Sequence, residues 1–337
     1  LRKWSKINAE FAHYSFRVAC DFSAHPKRED FDKWAFEEKL DLTALFPSIK
    51  KSNVLALDLS VSSSWIGHSV DFNDLDLFQF KINQLQKQNT DCILSGGYLE
   101  PRPIYNASAY DKVGNSGNES RSIHLGIDFW IPEATPVHSP YNGKVVMAVI
   151  DQGEKTYGGM IVLQHEEDRN IFFSLYGHLS EDNVLSHSIG NIIAKGEQIG
   201  CIGSQYENGN WAPHLHFQLM LSILDFHDDF PGVIYPNQKK LWKGICPDPN
   251  LLFKLLPLEE NRKDETDQIK VDRDNYLGRG MSLQYKKPLH IVRGEGIYLI
   301  DSDGRKYIDM VNNVAHVGHE HPKVVKAGKQ QMSILNT

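Results

Sequence analysis

Short apolar runs separated by turn residues dominate the chain between residues 96 and 256. The runs are HLGIDFWI, PVHSPYNGKVVMAVI, GGMIVLQHE, IFFSLYGHL, IIAKGEQIGCIGS and HLHFQLML. Short strands bounded by turn residues are typical of antiparallel β domains. Asn142-Gly143, between two of the runs, predicts a hairpin turn. We therefore predict a fold that is mainly β, with an antiparallel β-sheet core over residues 96–256.

The residues before this core indicate a small helical region. Within DFDKWAFEEKLD, four apolar residues recur at near-helical spacing, which predicts a short helix that packs on another element. They are Phe31, Trp34, Ala35 and Leu40. Residues 53–61 (NVLALDLSV) predict a strand, whereas residues 69–95 give no firm assignment. Residues 1–95 are thus an N-terminal connecting region of helix and strand.

The residues after the core begin with a charged stretch. Residues 257–275 carry few large apolar groups, which predicts an exposed linker. Residues 276–337 follow as a short α+β fragment: GIYLID and KYIDMV predict strands joined by residues 302–305, and a helix is expected near Pro322. So short a piece can seldom bury enough surface to offset its ordering entropy. We expect this tail not to dock on the core, so that proteolysis within 257–275 leaves the core intact.

Composition and charge narrow the classes of function. The 337 residues include 36 basic and 43 acidic side chains, a net charge of −7. This balance argues against nucleic acid and anionic membrane surfaces as partners, and no run approaches the ~18 apolar residues of a membrane span. The cysteines (Cys20, Cys92, Cys201 and Cys246) form no CxxC pair, which disfavours a disulfide framework and a cysteine-built zinc site. Because the chain begins with Leu1 and no leader pattern, we expect a piece of a longer polypeptide.

Histidines stand out by placement. Strand alternation in HLGID puts His124, Gly126 and Asp128 on one face. In HLHFQL the same alternation puts His214 and His216 on one face. If the two strands are neighbours, four ligand-type side chains converge. Catalytic zinc takes three ligands from His, Asp or Glu and keeps a fourth position for water.

A zinc site would use three of these four side chains and leave the fourth free for proton transfer. The residues alone do not say which three. The alternative is that backbone hydrogen bonds satisfy each histidine separately. We favour the metal because both motifs lie on strands with matching polar faces. A further histidine, His178, follows Gly177 at the end of the run IFFSLY and is placed to reach into a groove.

These motifs resemble the lysostaphin-like, or LytM-type, zinc endopeptidases over about residues 96–256. The matching stretches are HLGIDFWIPEATPVHSPYNGKVV, YGHLS, IGNIIAKGEQIGCIGS, APHLHFQLM and CPDP. The resemblance implies that His124, Asp128 and His216 bind one zinc ion. It also implies that His178 and His214 are the catalytic histidines of a metal-assisted amide hydrolysis. Which of these two histidines is the general base stays open.

The implied function is a zinc metalloendopeptidase with a peptidoglycan-like, small peptide or amide substrate. The loop at residues 205–211 (QYENGNW) departs from the small turn common in the family, so Glu207 and Trp211 could reshape the substrate groove. The alternative is a non-catalytic LytM-type binding or scaffolding module, because GKVV and KGEQIG also resemble a half-repeat of lipoyl and biotinyl carriers. Such a carrier needs an exposed lysine at a hairpin tip and does not need the histidine motifs.

Residues 285–337 resemble the amino-terminal part of class III pyridoxal-phosphate aminotransferases, closest to ethanolamine-phosphate and phosphohydroxylysine phospho-lyases. The matching stretches are PLHIVRGEG, a hairpin ending in YID, and NNVAHVGHEHPKVVKA. We expect pyridoxal phosphate only in a complete parent protein, which could dimerise through its full aminotransferase domain. A pyridoxal-phosphate enzyme is thus a third hypothesis, which this chain serves only as a fragment. The resemblance favours a structural loop over a metal site for His316, His319 and His321.

Residues 1–95 resemble the connecting region of bacterial fusions that join a kinase-like domain, a LytM-type domain and a class III aminotransferase. This resemblance implies that the chain is the middle of a cytoplasmic three-part protein. The expected partner is a peptide or small amide, with no nucleic acid and no membrane. Whether the parent is a transaminase or a phospho-lyase stays open.

Overall fold

The computed structural model describes residues 9–51, 53–105, 110–114, 117–256, 265–278, 283, 285, 288–311 and 316–335. The helices are α1 (Ala9–Ala19), α2 (Arg28–Glu37), α3 (Ser69–Asn73), α4 (Leu75–Gln88), α5 (Glu181–Leu185), α6 (Lys239–Ile245), α7 (Asn250–Phe253), α8 (Glu265–Tyr276) and α9 (Pro322–Met332). Short 3-10 helices span Leu42–Ala44 and Pro236–Gln238. None of the helices in this described part of the chain has the length and apolar content of a membrane span.

The strands are more numerous and mostly short. They are β1 (Asn53–Leu57), β2 (Cys92–Gly96), β3 (Asp111–Gly114), β4 (Gly117–Ser120), β5 (Ile123–His124), β6 (Ile127–Trp130), β7 (Pro136–His138), β8 (Gly143–Asp151), β9 (Gly158–Glu167), β10 (Asn170–Leu179), β11 (Ile192–Ile193), β12 (Gln198–Cys201), β13 (Leu215–Met220), β14 (Val233–Ile234), β15 (Ile291–Glu295), β16 (Tyr298–Asp301) and β17 (Lys306–Ile308).

The central sheet has eight strands in the order β1-β2-β6-β13-β10-β9-β8-β11. β1 pairs with β2 in parallel, and the other neighbours in this sheet are antiparallel. The predicted class, mainly β with an antiparallel core, is confirmed. Because β6, β13 and β10 are adjacent, Asp128 lies opposite His216, and His216 lies opposite Gly177.

The N-terminal helices cover one face of this sheet. Phe31 and Trp34 on α2 pack against Phe172 of β10, with ring centroids 5.3 and 5.2 Å apart. The apolar spacing within DFDKWAFEEKLD therefore forms a helix that packs on another element, as the sequence predicts.

The region before residue 96 continues into the sheet. Strand β2 spans the predicted boundary between residues 95 and 96, and it pairs with both β1 and β6. Helix α4, which falls in the stretch without a sequence assignment, packs Phe78 and Ile82 into an apolar cluster that also contains Trp130 and Trp211. The connecting region thus forms one wall of the part of the molecule that holds the histidines.

The predicted hairpin turn at Asn142-Gly143 is wrong. Asn142-Gly143 does not form a hairpin between its flanking strands, because β7 pairs with β12 while β8 pairs with β9 and β11. Asn142 instead accepts a hydrogen bond from Lys195 N on its side-chain oxygen and one from His165 on its carbonyl. A tight hairpin joins β9 to β10, where Asp168 and Arg169 adopt positive φ angles of 46° and 70°.

The run HLGIDFWI is two strands and not one. β5 pairs with β14, whereas β6 belongs to the central sheet. The chain changes sheets at Leu125 and Gly126. A Cβ at Gly126 would lie 2.7 Å from Cε1 of His216, so the glycine allows the backbone to pass the histidine ring.

The C-terminal segment, residues 288–335, forms the predicted β16–β17 hairpin and the helix at Pro322. Contrary to our expectation, it docks on the rest of the chain. Arg293 donates hydrogen bonds to the carbonyls of Val61, Ser63 and Gly67 at 2.9–3.2 Å. Glu320 accepts from His68 Nδ1 at 3.1 Å. The expectation counted apolar burial alone, and it missed these polar contacts.

The predicted linker, residues 257–275, includes all of α8 except its last residue, Tyr276. Charged residues spaced along a helix can face water on all sides, so high charge did not exclude a helix here. Residues 257–264 lie outside the described residues.

Candidate metal centre and active site

Three side chains converge at the junction of β5, β6 and β13. His124 Nε2 lies 2.8 Å from His216 Nδ1, and Asp128 Oδ1 lies 3.2 Å from each of these nitrogens. All three residues are buried, and within the described residues they form a group whose ligand atoms could hold one metal ion. The structure therefore brings together the three residues for which the family resemblance implies zinc binding.

The second ring nitrogen of each histidine already has a partner. His124 Nδ1 donates to the carbonyl of Gly97 at 3.1 Å. His216 Nε2 donates to Oε1 of Gln218 at 3.0 Å, and the Gln218 amide in turn donates to the carbonyl of Pro231. Such hydrogen bonds set the tautomer of a metal-binding histidine and fix its ring. The lone pairs of His124 Nε2 and His216 Nδ1 consequently face each other and the Asp128 carboxylate.

This donor set fits a zinc ion. Two nitrogen lone pairs and a carboxylate oxygen at such short separations repel one another unless a cation lies among them. Their separations are near the ~3.3 Å edge of a tetrahedron with bonds of about 2.0–2.1 Å, and histidine and carboxylate are ordinary zinc ligands. His124, Asp128 and His216 are thus the residues that could hold the metal.

His178 and His214 form a pair beside this group. Their ring centroids are 4.2 Å apart, and His214 Nε2 lies 3.9 Å from Asp128 Oδ1. His178 Nδ1 donates to the carbonyl of Asn208, and His214 Nδ1 donates to that of Ala212. Both Nε2 atoms are therefore left as proton acceptors. All five histidine and aspartate positions singled out in the sequence lie in one site.

The backbone at His178 is unusual. Its φ angle is +66°, in the left-handed region, at a register shift between Gly177 and Leu179 on β10. A side chain at such a bulge leaves the alternation of the strand, which redirects it. Here the bulge directs His178 towards His214, which immediately precedes the neighbouring strand β13.

Electrostatics favour the neutral form of His124, His178 and His214 and the ionised form of Asp128. Burial lowers the pKa of His124 to about 3, and the positive charge of Arg102 acts in the same direction. Burial, together with the His214 ring, holds the pKa of His178 well below its usual range, and burial also lowers the pKa of His214. For Asp128, burial alone would raise the pKa, but His124 and Arg102 hold it well below its usual range. Neutral imidazoles and a carboxylate are the states that bind metal ions and accept protons.

The site opens into a cavity of about 300 Å³. Its walls carry several aromatic side chains. They are Tyr105, Tyr110, Trp130, Tyr157, Trp211 and Phe230. Trp130 stacks on the His214 ring, with centroids 5.6 Å apart and planes 21° from parallel. The cavity therefore combines aromatic walls with the five polar side chains of the site and with further charged residues, which are Arg102, Arg121, Asp151, Glu154, Lys155 and Asp229.

Of the two residues of the 205–211 loop that the sequence suggested could reshape the groove, only Trp211 lines the cavity. Trp211 is buried in the wall and donates its indole N–H to the carbonyl of Thr156. Glu207 does not line the cavity, because its carboxylate accepts hydrogen bonds from the backbone N–H groups of Ser204 and Glu181. A carboxylate that can satisfy local backbone donors is held in its own loop, and the sequence did not show this.

Two residues of the site were missed in the sequence. Gln218, which orients His216, follows the alternation of His214 and His216, so the period of two offered a signal for it. Arg102 donates to Asp128 Oδ2 at 2.5 Å and to Glu100 Oε2 at 2.7 Å, and all three residues are buried. It comes from a Pro-rich stretch that is typical of an exposed loop, so no local pattern indicated it.

Comparisons with known proteins find similarity to two families. Residues 122–225 match peptidase family M23, and residues 281–336 match the class-III aminotransferases. Both resemblances predicted from the motifs are thereby confirmed. The region around the site is similar to lysostaphin-type peptidases, and the C-terminal segment is similar to part of the class III aminotransferases.

Individual relatives cover each part separately. Lysostaphin from Staphylococcus staphylolyticus is 33% identical over 135 residues, which are 39% of this chain and 26% of lysostaphin. An alanine–glyoxylate aminotransferase 2-like protein from Drosophila melanogaster is 49% identical over 84 residues, which are 25% of this chain and 16% of that protein. The chain thus spans a minor part of either relative. The solved catalytic domain of lysostaphin from Staphylococcus simulans is 26% identical, with 46% of this chain and 96% of that one covered and a TM-score of 0.25.

Proposed function

We propose that the chain is a zinc-dependent metalloendopeptidase that hydrolyses an amide bond in a peptide or small amide. One observation carries the proposal: two histidine lone pairs and a carboxylate oxygen meet within 3.2 Å, beside two further neutral histidines. The match to peptidase family M23 supports it.

The proposal assigns His124, Asp128 and His216 to the metal, and His178 and His214 to proton transfer. Zinc held by these three residues would polarise the scissile carbonyl and lower the pKa of its water to about 7. His178 and His214 each offer a free Nε2 for a proton. Because their rings are 4.2 Å apart, a proton on one disfavours a proton on the other. The pair therefore suits a reaction in which one proton is accepted and then delivered to the leaving amine.

The size of the cavity supports a compact substrate. At about 300 Å³ it lies at the small end of ligand pockets, which are mostly apolar with a few placed polar groups. A short peptide, as in a peptidoglycan-like fragment, or a small amide fits this description. Trp211 and Tyr105, which pack with centroids 6.0 Å apart, narrow the cavity at one side.

The rest of the parent protein enters as part of the proposal. The class III aminotransferase segment supports a multidomain parent protein that binds pyridoxal phosphate in its complete aminotransferase domain and dimerises through that domain. A fusion with kinase-like and aminotransferase parts supports a cytoplasmic location. A scavenged wall fragment is then a more suitable substrate than an intact cell wall.

The test uses the full chain. Zinc is removed with a chelator and added back, and its stoichiometry is measured by atomic absorption. Cleavage of muropeptides, glycine-containing peptides and short amides is followed by mass spectrometry. We expect one zinc per chain and a cleavage activity that is lost with the chelator and restored with zinc. Stoichiometric zinc without cleavage across the panel would favour the alternative of a non-catalytic binding module.

A further inference from the structure

The two oxygens of the Asp128 carboxylate have separate partners. Oδ1 faces the nitrogens of His124 and His216 at 3.2 Å, whereas Oδ2 accepts a hydrogen bond from Arg102 Nη1 at 2.5 Å. We propose that Arg102 is a positioning residue that makes Asp128 a one-oxygen ligand. The inference rests on the proposed function only in requiring that a metal binds here.

Burial makes this contact strong and hard to exchange. Arg102 is 1% exposed and Asp128 is 2% exposed, so water does not compete for either group. Breaking a buried ion pair leaves an uncompensated charge, which is strongly unfavourable. For Asp128 to bind a metal through both oxygens, Oδ2 would have to leave the guanidinium.

Glu100 keeps this arginine from opposing the metal. The Arg102 Nε atom donates to Glu100 Oε2 at 2.7 Å, and Glu100 Oε1 accepts from the backbone N–H of Leu59 at 3.0 Å. An unpaired arginine next to a metal ion would repel it. The Glu100–Arg102 pair has no net charge, so Asp128 retains its negative charge for the metal while its orientation is fixed.

The backbone ties the arginine to another ligand. The N–H of Arg102 donates to the Ser122 carbonyl at 2.8 Å, and the N–H of His124 donates to the Glu100 carbonyl at 3.0 Å. On the other side, a Cβ at Gly96 would lie 2.5 Å from Arg102 Nη2, so only glycine leaves room for the guanidinium. Arg102, His124 and Asp128 are therefore held in a fixed relation before any metal arrives.

The consequence concerns the number of ligands. An aspartate that binds through one oxygen, together with two histidines, leaves open coordination positions for water and substrate, as catalytic zinc requires. An aspartate that binds through both oxygens would fill one of these positions. Residues around metal ligands typically change metal affinity or activity 10–100-fold when they are mutated.

The test is Arg102→Lys in the full chain, with cobalt(II) in place of zinc. Lysine keeps the positive charge but lacks the fork that contacts Asp128 and Glu100 together. We expect Oδ2 to become a ligand. The visible absorption of cobalt should then weaken, as it does when four-coordinate cobalt gains a ligand, and zinc affinity should fall about 10–100-fold.

The matched control is Arg28→Lys. Arg28 is a partly buried arginine on α2 that pairs with Asp32 at 2.7 Å and does not line the cavity. The Arg28→Lys substitution should leave the cobalt spectrum unchanged. Arg102→Lys with an unchanged cobalt spectrum and zinc affinity would overturn the inference, and so would a chain that binds no cobalt.

A second measurement needs no variant, in case Arg102→Lys does not fold. In a crystal structure of the zinc-loaded native chain, Asp128 should contact zinc through one oxygen and Arg102 through the other. Two-oxygen binding, or an Arg102 turned away, would overturn the inference. Neither readout involves peptide cleavage. A chain with the arginine-dependent spectrum that cuts no peptide would contradict the proposed function alone, and active enzyme with two-oxygen binding would contradict this inference alone.

Discussion

The central sheet and the C-terminal segment are built from similar short strands, but they bury their apolar side chains very differently. On β10, Phe172, Leu175 and Tyr176 are fully buried. In the C-terminal segment Ile300 is buried, whereas Met310 is 86% exposed and Val324 is 57% exposed. Apolar packing therefore stabilises the sheet far more than it stabilises the segment.

The two regions are also held in place by different interactions: close apolar packing around the site, and polar contacts at the C-terminal segment. The metal and proton-transfer residues lie in the well-packed sheet, where neighbouring side chains leave few alternative positions. The C-terminal segment is attached largely by the polar contacts of Arg293 and Glu320. The site should consequently be insensitive to the segment, and the two can be perturbed independently.

The largest expected effect is loss of the metal. His124→Ala, Asp128→Ala and His216→Ala should each abolish tight zinc binding, because two protein ligands hold the ion poorly. The matched control is His319→Ala, which breaks a histidine–aspartate pair of 2.9 Å in the C-terminal segment and should retain zinc. Atomic absorption after gel filtration measures both. Stoichiometric zinc in all three site variants would contradict the ligand assignment.

The next effect separates catalysis from metal binding. His178→Ala and His214→Ala should keep zinc and lose about 10²–10⁴-fold in turnover, the usual contribution of general acid–base groups. Initial rates on a cleaved peptide, with zinc content measured in parallel, test this. If His214→Ala lost the metal as His216→Ala does, the roles within the HLH motif would be reversed.

Lowering the pH should destabilise the central sheet, because it contains buried histidines that are neutral in the folded chain. Burial lowers the pKa of His165 to about 4, whereas the unfolded residue titrates near 6.5. Between these values the unfolded chain binds a proton that the folded chain does not. Stability therefore falls as the pH drops from about 6.5 to about 4, by up to about 3 kcal/mol for this one residue.

His165→Gln isolates this contribution. Urea unfolding of the chelator-treated chain should show a shallower loss of stability below pH 6.5 for His165→Gln than for the native chain. At pH 8 both side chains are neutral, so the difference measured there is the structural cost of the substitution and serves as the control. Parallel pH profiles would contradict the assignment of a lowered pKa to His165.

The smallest effect concerns the docked segment. Arg293→Met removes hydrogen bonds to three carbonyls and should raise the rate of proteolytic release of the segment by about tenfold, as expected from ~1.4 kcal/mol of lost contact. Arg305→Met is the control, because Arg305 pairs with Asp303 inside the segment. Mass spectrometry should show that the central sheet, together with the residues before position 96 that pack on it, survives with its zinc. Equal release in both variants would show that Arg293 does not hold the segment.

The sequence could predict the site residues that lie close together in the chain at a regular spacing. Alternation predicted that His124 and Asp128 would meet His214 and His216, and these four side chains do lie together. The reason given for the first pair was wrong, because His124 lies on β5 and Asp128 lies on β6. Arg102 could not be found this way, because its contact with Asp128 joins residues 26 positions apart from different elements. The Asn142-Gly143 prediction failed for a related reason: the turn pattern was local, but strand pairing with β12 and β9 was decided by the rest of the sheet.

The pairing of β6 with β13 has a consequence for how the chain folds. Asp128 and His216 are 88 residues apart in the sequence, and bringing such distant positions together costs about 4 kcal/mol of chain entropy. Pairings of this kind form late and slow the folding of β proteins. The metal-binding group therefore exists only after the sheet has closed. An ion bound there acts as a cross-link over the whole intervening loop, so the rate of unfolding should depend on the concentration of free metal.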